Sequence, residues 1–261
     1  MKLFQKIILP IISVAIFIFA LFIAALLIDD GLIFPSPTSV FKEFFVLLKS
    51  ESFYREVILD LWRTTYSFFF SLVLSVIFAV ITSLNDALKT LFYPVVASIR
   101  AVPTIAIILW CLIIFKSDVA PAAISFIVTF PMVYNEISAA IFSRDKKIDE
   151  MAKIYGIKKS DYIFRIIVPD ISERCFPQVC SLFSFNVKLI VAGEALSYTK
   201  LSIGRELQLA NINMETAKLL AFSVAVILMS VLAEVFLKAL WKLIKGGIYG
   251  YNRKRIIEKI R

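Results

Sequence analysis

The sequence predicts an all-α integral membrane protein, one domain over residues 1–261 with about six transmembrane helices. Three observations carry that reading. Of the 261 residues, 60% are hydrophobic and mean hydropathy is +0.85, well above the apolar share of a soluble domain. The apolar residues gather into runs long enough to cross a hydrocarbon core of about 30 Å as helices. Most of the 29 Lys and Arg residues fall in the short polar segments between those runs.

Lys2 and Lys6 precede an apolar run over residues 7–28. As a helix it would rise roughly 33 Å, longer than a signal-peptide core, so a retained first span is expected. Residues 29–63 are mixed. Pro35-Ser36-Pro37 makes a stiff turn there, and Val40, Phe41, Phe44, Phe45 and Leu48 share one face of a helix expected along the outer surface. The second span covers 64–84 and closes on Asn85-Asp86. The third, over 93–115, carries Arg100, Pro103 and Trp110. Pro103 removes a backbone donor, so a kink or a broken first turn is expected at that point.

A Lys116-Ser117-Asp118 turn leads into the fourth span, 119–142, which holds Pro131, Asn135 and Glu136. A hydrophilic loop over 143–173 follows. The fifth span, 176–196, contains Lys188 and Glu194, and a polar loop through Lys200, Gly204, Arg205 and Glu215 leads to the sixth, 217–240, with Glu234. A basic tail occupies 241–261. Nineteen of the 29 basic residues are Lys2, Lys6, Lys89, eight between Arg144 and Arg174, and eight from Lys238 to Arg261. Positive charge accumulates on the cytoplasmic side, which puts both termini and that loop inside. The +9 net charge therefore calls for no nucleic-acid partner. Arg253-Lys254-Arg255 is expected to fix topology and touch anionic lipid.

Composition also excludes chemistry. There is no histidine, which removes His-based metal sites and His-dependent nucleophilic triads. Cys111, Cys175 and Cys180 form no C-x-x-C pair and lie in or beside apolar segments, so packing is their expected role. No G-x-x-x-x-G-K-[ST] loop occurs, so any ATP hydrolysis belongs to another chain. The chain is not expected to be an enzyme or to hold a cofactor.

Within the 143–173 loop, Ile148, Met151, Ala152 and Tyr155 stand at i, i+3, i+4 and i+7, one apolar face of a short helix. Lys146, Lys147, Asp149, Glu150 and Lys153 cover the remainder. Gly156 follows the last periodic residue, where a left-handed conformation ends a helix without a Cβ clash, and Ser160 with Asp161 can open the next turn. A helix, a sharp bend and a second helix returning to the membrane are expected. Such a knob suits a groove on another protein.

The same stretch resembles the cytoplasmic coupling loop of the permease subunits of bacterial ABC importers, whose motif reads E-A-A-x3-G-x9-I-x-L-P. Glu150, Ala152, Gly156, Ile166 and Pro169 stand at its spacings, with Met151 for the first Ala and Val168 for Leu. From Pro35 onward the order of features is most similar to the nitrate, sulfonate and taurine group. It has the Pro-Ser-Pro turn, Arg63 opening the second span, an Arg-x-x-Pro and a Phe-Pro-x-x-x-Asn pattern, then VKLIVAGE over 187–194 and Ile203-Gly204. It departs from that group in its 7 glycines, in Ser172-Glu173 and in Met151.

What the resemblance implies is a type I importer permease in the bacterial cytoplasmic membrane. It would be a homodimer, or a pair with a similar subunit, seated on a cytoplasmic ABC ATPase dimer and served by an extracytoplasmic solute-binding protein. Ile148, Glu150, Met151, Ala152, Tyr155 and Gly156 are the expected ATPase contact, with Ile166 and Pro169 completing the motif. Related permeases carry nitrate, sulfonates, taurine or vitamin precursors such as a thiamine pyrimidine or riboflavin.

Ionisable groups at membrane depth are costly and face a cavity or a partner. Arg100, Glu136, Lys188 and Glu194 are the candidate solute-pathway residues on that ground, with Glu234 beside them. Lys188 suits contact with an anionic solute, or pairing with Glu194 or Glu136. For the glutamates, snorkelling or a bond between helices is an equal reading. The rival class is a secondary transporter or channel uncoupled from ATP. Such a transporter should repeat its hydropathy between halves, and no repeat is evident.

Overall fold

The computed structural model describes residues 34–144 and 146–260, with isolated positions between 8 and 23. The expected first span over 7–28 therefore lies outside the continuously described residues. Every regular element among the described residues is helical. Among the described residues, four helices are long and apolar enough to cross a membrane, and a bent pair makes a fifth candidate.

Helix α1, Pro37–Leu47, begins as its sequence dictates: Ser36 caps it by accepting the Ser39 N–H at 3.3 Å, and Pro37 occupies the first turn, where no donor is missed. Helix α2, Glu51–Leu84, starts well before the expected residue 64 and runs unbroken through Arg63. Its inward face is small and polar. Thr64, Ser67, Ser71, Ser75, Ala79 and Thr82 are buried, while Trp62, Phe69 and Phe70 are exposed. That inversion of a soluble helix is what close packing in lipid selects, since small residues let backbones approach and hydroxyls bond across.

Helix α3, Asp86–Ala101, is capped by Asn85, whose side chain accepts the Ala87 N–H at 2.9 Å. It meets α4, Thr104–Ile114, at 93°. One kinked span over 93–115 was the expectation. The chain instead breaks at Val102-Pro103, because residue 102 before proline adopts an extended ψ of 130° and Pro103 cannot continue the hydrogen-bond ladder.

Helix α5, Ala120–Phe142, is the centre of the bundle and packs along both α2 and α8, Val168–Ser197. The α2–α5 seam is a ladder of hydroxyls. Ser67 and Ser125 lie 2.7 Å apart, Ser71 and Thr129 3.0 Å, Ser75 donates to the Phe130 carbonyl at 2.9 Å, and Tyr134 donates to Thr82 at 3.0 Å. Asn186 of α8 closes the seam, accepting from Ser125 at 2.5 Å and donating to the Thr64 carbonyl at 3.4 Å. The increasing residue numbers along both partners show that α2 and α5 run parallel, with α8 antiparallel to them.

Between α5 and α8 come α6, Lys146–Ile154, α7, Lys159–Tyr162, and a π-turn over Ile163–Ile167. Val168 N–H reaches back to the Ile163 carbonyl across that wider turn. Pro169 explains it: lacking an N–H and clashing with residue 165, its ring is accommodated by loosening the turn before it. Helix α9, Ile203–Ile212, starts at Ser202 and packs on α8 and α10, Thr216–Ile260. Gly204 permits that approach, since a Cβ there would sit 2.3 Å from the Val191 carbonyl oxygen. The side chains of the tail from residue 246 onward lie outside the described residues.

Candidate functional site

At one end of the bundle, α6 leaves the membrane-crossing helices. Ala152 is buried and Ile148 half-buried, so these two seat the helix on its own chain. Met151, Ile154 and Tyr155 stand outward at 57%, 80% and 77% exposure, and Glu150 is exposed beside them. The apolar face drawn through the sequence is thus split in two. Ile154, three residues after Met151, was left out of it because the stripe was drawn through Ala152.

Gly156 has φ +59° and ends the helix as its type implies. Tyr155 N–H makes the last ordinary helical bond, to the Met151 carbonyl at 3.0 Å, and Ile157 N–H then bonds the Ala152 carbonyl at 3.0 Å, a closure that needs a left-handed residue between them. Nothing lies within 4 Å of a Cβ built on Gly156. The requirement for glycine there is conformational rather than steric. Ile166 and Pro169 are half-buried within the return segment. Arg174 of α8 holds the base of the loop, donating to the Ser143 carbonyl at the end of α5 at 3.3 Å while pairing with Asp170 at 3.1 Å. The knob is therefore anchored to both α5 and α8.

At the opposite end, α2 and α8 share a buried charge knot. Arg63 Nη1 lies 3.2 Å from Asp60 Oδ1 and 3.0 Å from Glu194 Oε1, with side-chain exposures of 14% for the arginine and 0% for each acid. The same guanidinium donates to the carbonyls of Lys200 and Leu201 at 3.2 and 3.3 Å. Asp60 Oδ2 accepts the Ile203 N–H at 3.1 Å, at the start of α9. One arginine thus ties α2, α8 and the 198–203 turn together. Tyr198 and Leu201 in that turn hold φ of 53° and 50°, a backbone such side chains rarely adopt. The charge-assisted bonds over-determine the turn enough to keep it there.

Glu194, expected as a pathway candidate, is committed to this knot. Arg63 and Asp60 were not singled out as partners; their three-residue spacing reads as an ordinary helix-surface pair, and their contact with Glu194 spans 131 positions of sequence.

The remaining charged residues lie elsewhere. Arg100 is exposed near the end of α3. Glu234 bonds Ser181 at 2.8 Å and pairs with Lys238 at 2.5 Å. Glu136 lines a groove of about 460 Å³ with Pro177, Gln178, Ser181, Leu182 and Lys238. Lys188 is exposed on α8 and makes no ion pair among the described residues. Neither of the pairings considered for it, with Glu194 or Glu136, is formed. Among the described residues no cluster of His, Cys, Asp and Glu is arranged to hold a metal ion.

Residues 71–246 match a family model described as binding-protein-dependent transport system inner membrane component. No curated protein matches the chain. A solved chain from inward-facing conformations of the MetNI methionine ABC transporter is similar in fold. Its TM-score is 0.54 at 16% identity, and the match covers 71% of this chain and 94% of that one. The seam from Ser71 onward, α6 with its glycine bend and the return through α8 lie within residues 71–246, whereas Arg63, Thr64 and Ser67 precede them.

Proposed function

The chain belongs to the binding-protein-dependent transport system inner membrane component family, and from that premise we propose that α6 is the handle through which a separate ATPase drives it. It is a multi-pass membrane protein with the all-α fold of an ABC importer permease. The observation that carries the proposal is the outward set of Met151, Ile154 and Tyr155 beside Glu150, on a helix held at its base by Arg174 and aimed by Gly156. An exposed apolar helix outside the spans needs a groove to cover it. No phosphate-binding loop occurs in the sequence, so nucleotide-driven motion must enter from another chain.

In this reading the α6 end faces the cytoplasm, with both chain termini on that side, consistent with the distribution of Lys and Arg. Two copies pair over an ATPase dimer. A solute-binding protein delivers a small anion or a vitamin precursor to the end that carries the Arg63 knot. Movement of α6 is passed to α5 and α8, because Arg174 joins them at the loop base.

The test is purification of the chain from its native membrane in mild detergent, with mass spectrometry of what remains bound in stoichiometric amount. Recovery of an ATPase with a phosphate-binding loop, lost on Gly156→Val while the permease stays folded, is the expected result. Recovery of the chain alone, under conditions that keep other ABC complexes intact, would favour a transporter or channel uncoupled from ATP.

A further inference from the structure

Gln178, Ser181, Phe185, Lys188 and Ala192 follow one another on α8 at spacings of three and four residues, and all five are exposed. They form one stripe along the helix. The end nearer α6 opens into the groove of about 460 Å³ that Glu136 and Lys238 also line. Lys188 lies nine residues before Ser197, the last residue of α8. That is about 13 Å into the membrane from that end, close to the middle of a 30 Å core. A lysine there facing lipid is costly to insert and is found facing a cavity, water or a partner. Arg63, by contrast, is matched by Asp60 and Glu194, and Glu234 by Lys238 and Ser181.

We infer that this stripe lines a water-filled passage, and that Lys188 is the group in it that holds an anionic solute, of the carboxylate, sulfonate or oxyanion class. The inference rests on the permease reading and narrows it, because a neutral vitamin precursor gives no reason for a cation at that depth with no ion pair among the described residues. A second copy closes the passage opposite the stripe and brings its own lysine to it. In a narrow, low-dielectric passage the field of such charges raises the local anion concentration. Toward α6, Lys238 is already engaged by Glu234, so Glu136 gives that groove an acidic character. An anion is then held at mid-depth rather than at the α6 end.

The experiment places a reporter beside the lysine. Ala192→Cys is made in the full chain, purified with whatever ATPase it retains, reconstituted in liposomes and treated with two membrane-impermeant methanethiosulfonates, one carrying a sulfonate and one a trimethylammonium group. Background comes from the unsubstituted chain, in which Cys111 and Cys180 are buried and Cys175 is half-buried.

After correction for intrinsic reactivity, the anionic reagent should react roughly ten-fold faster or more at position 192, and Lys188→Met should abolish the preference. Equal rates for the two reagents, or labelling only by a membrane-permeant maleimide, would overturn the inference. ATPase retention in the same preparations separates the two proposals. A charge preference without bound ATPase would leave the anion site standing and remove the importer reading, whereas bound ATPase without the preference would do the reverse.

Discussion

Arg63 and Lys188 are both cations within membrane-crossing helices, only a short distance apart along the bundle, and they have opposite surroundings. Arg63 is held by two carboxylates and two carbonyls, and its side chain is 14% exposed. Lys188 lies on an open face of α8, about 9 Å deeper than Glu194, with no ion pair among the described residues. A charge that is enclosed by partners reports on how the fold is tied. One left open at greater depth must be compensated by water, solute or another subunit, and so reports on function. Sequence position does not distinguish the two cases, because Glu194 and Lys188 are six residues apart in the same span.

The comparison is broken most directly at the enclosed charge. Arg63→Met would leave two buried carboxylates and strip two carbonyls of their donor, a loss on the order of 3–5 kcal/mol. A large fall in the thermal midpoint of the detergent-purified protein is expected, followed by fluorescence-detected gel filtration. Glu194→Gln keeps an acceptor opposite the guanidinium and should lose roughly 1–2 kcal/mol. If Arg63→Met melts with the unsubstituted chain, the knot does not hold the fold together and the contrast with Lys188 fails.

A second structural control is Gly204→Ala. Its Cβ would meet the Val191 carbonyl at 2.3 Å and the Ala195 nitrogen at 2.6 Å. Backbone cannot yield as a flexible side chain would, so about 1–3 kcal/mol of overpacking is expected between α9 and α8. A neutral result in the same melting assay would mean that α9 moves freely on α8.

These contacts mark what could be read in sequence and what could not. Periodicity and apolar run length located α2, α5, α8 and α10, because a span must be long and apolar whatever it packs against. Gly156 was legible too, since a helix-ending glycine after Tyr155 admits few other conformations. The break at Pro103 was expected, but its 93° angle was not, since proline removes a bond without dictating where the next helix goes. The α2–α5 hydroxyl seam was missed because serines and threonines in an apolar run read as neutral until a partner helix is set beside them. The Arg63 knot was invisible for the same reason, joining positions 131 residues apart.

Gly156→Val tests the α6 end, where exposure is expected to serve a partner. The substitution costs about 1–2 kcal/mol locally through its left-handed backbone, yet a Cβ at that point meets nothing within 4 Å. The global melt should therefore move little while ATPase retention and transport are lost. Loss of retention together with a melt as low as that of Arg63→Met would mean that the loop supports the bundle rather than a partner.

The smallest stability effect, and the sharpest test of the contrast, belongs to Lys188→Met. Removing an exposed cation with no ion pair among the described residues leaves none of their charges stranded, and a thioether on that face is at least as compatible with the bundle as an ammonium group. The melting midpoint should stay within about 1 kcal/mol of the unsubstituted chain or rise slightly. Solute uptake should change, with ATPase retention intact. A destabilisation that matched Arg63→Met, accompanied by loss of the paired form on gel filtration, would instead show that Lys188 is neutralised by an acid across the subunit interface. Both cations would then be structural, one closed within the chain and the other closed between chains.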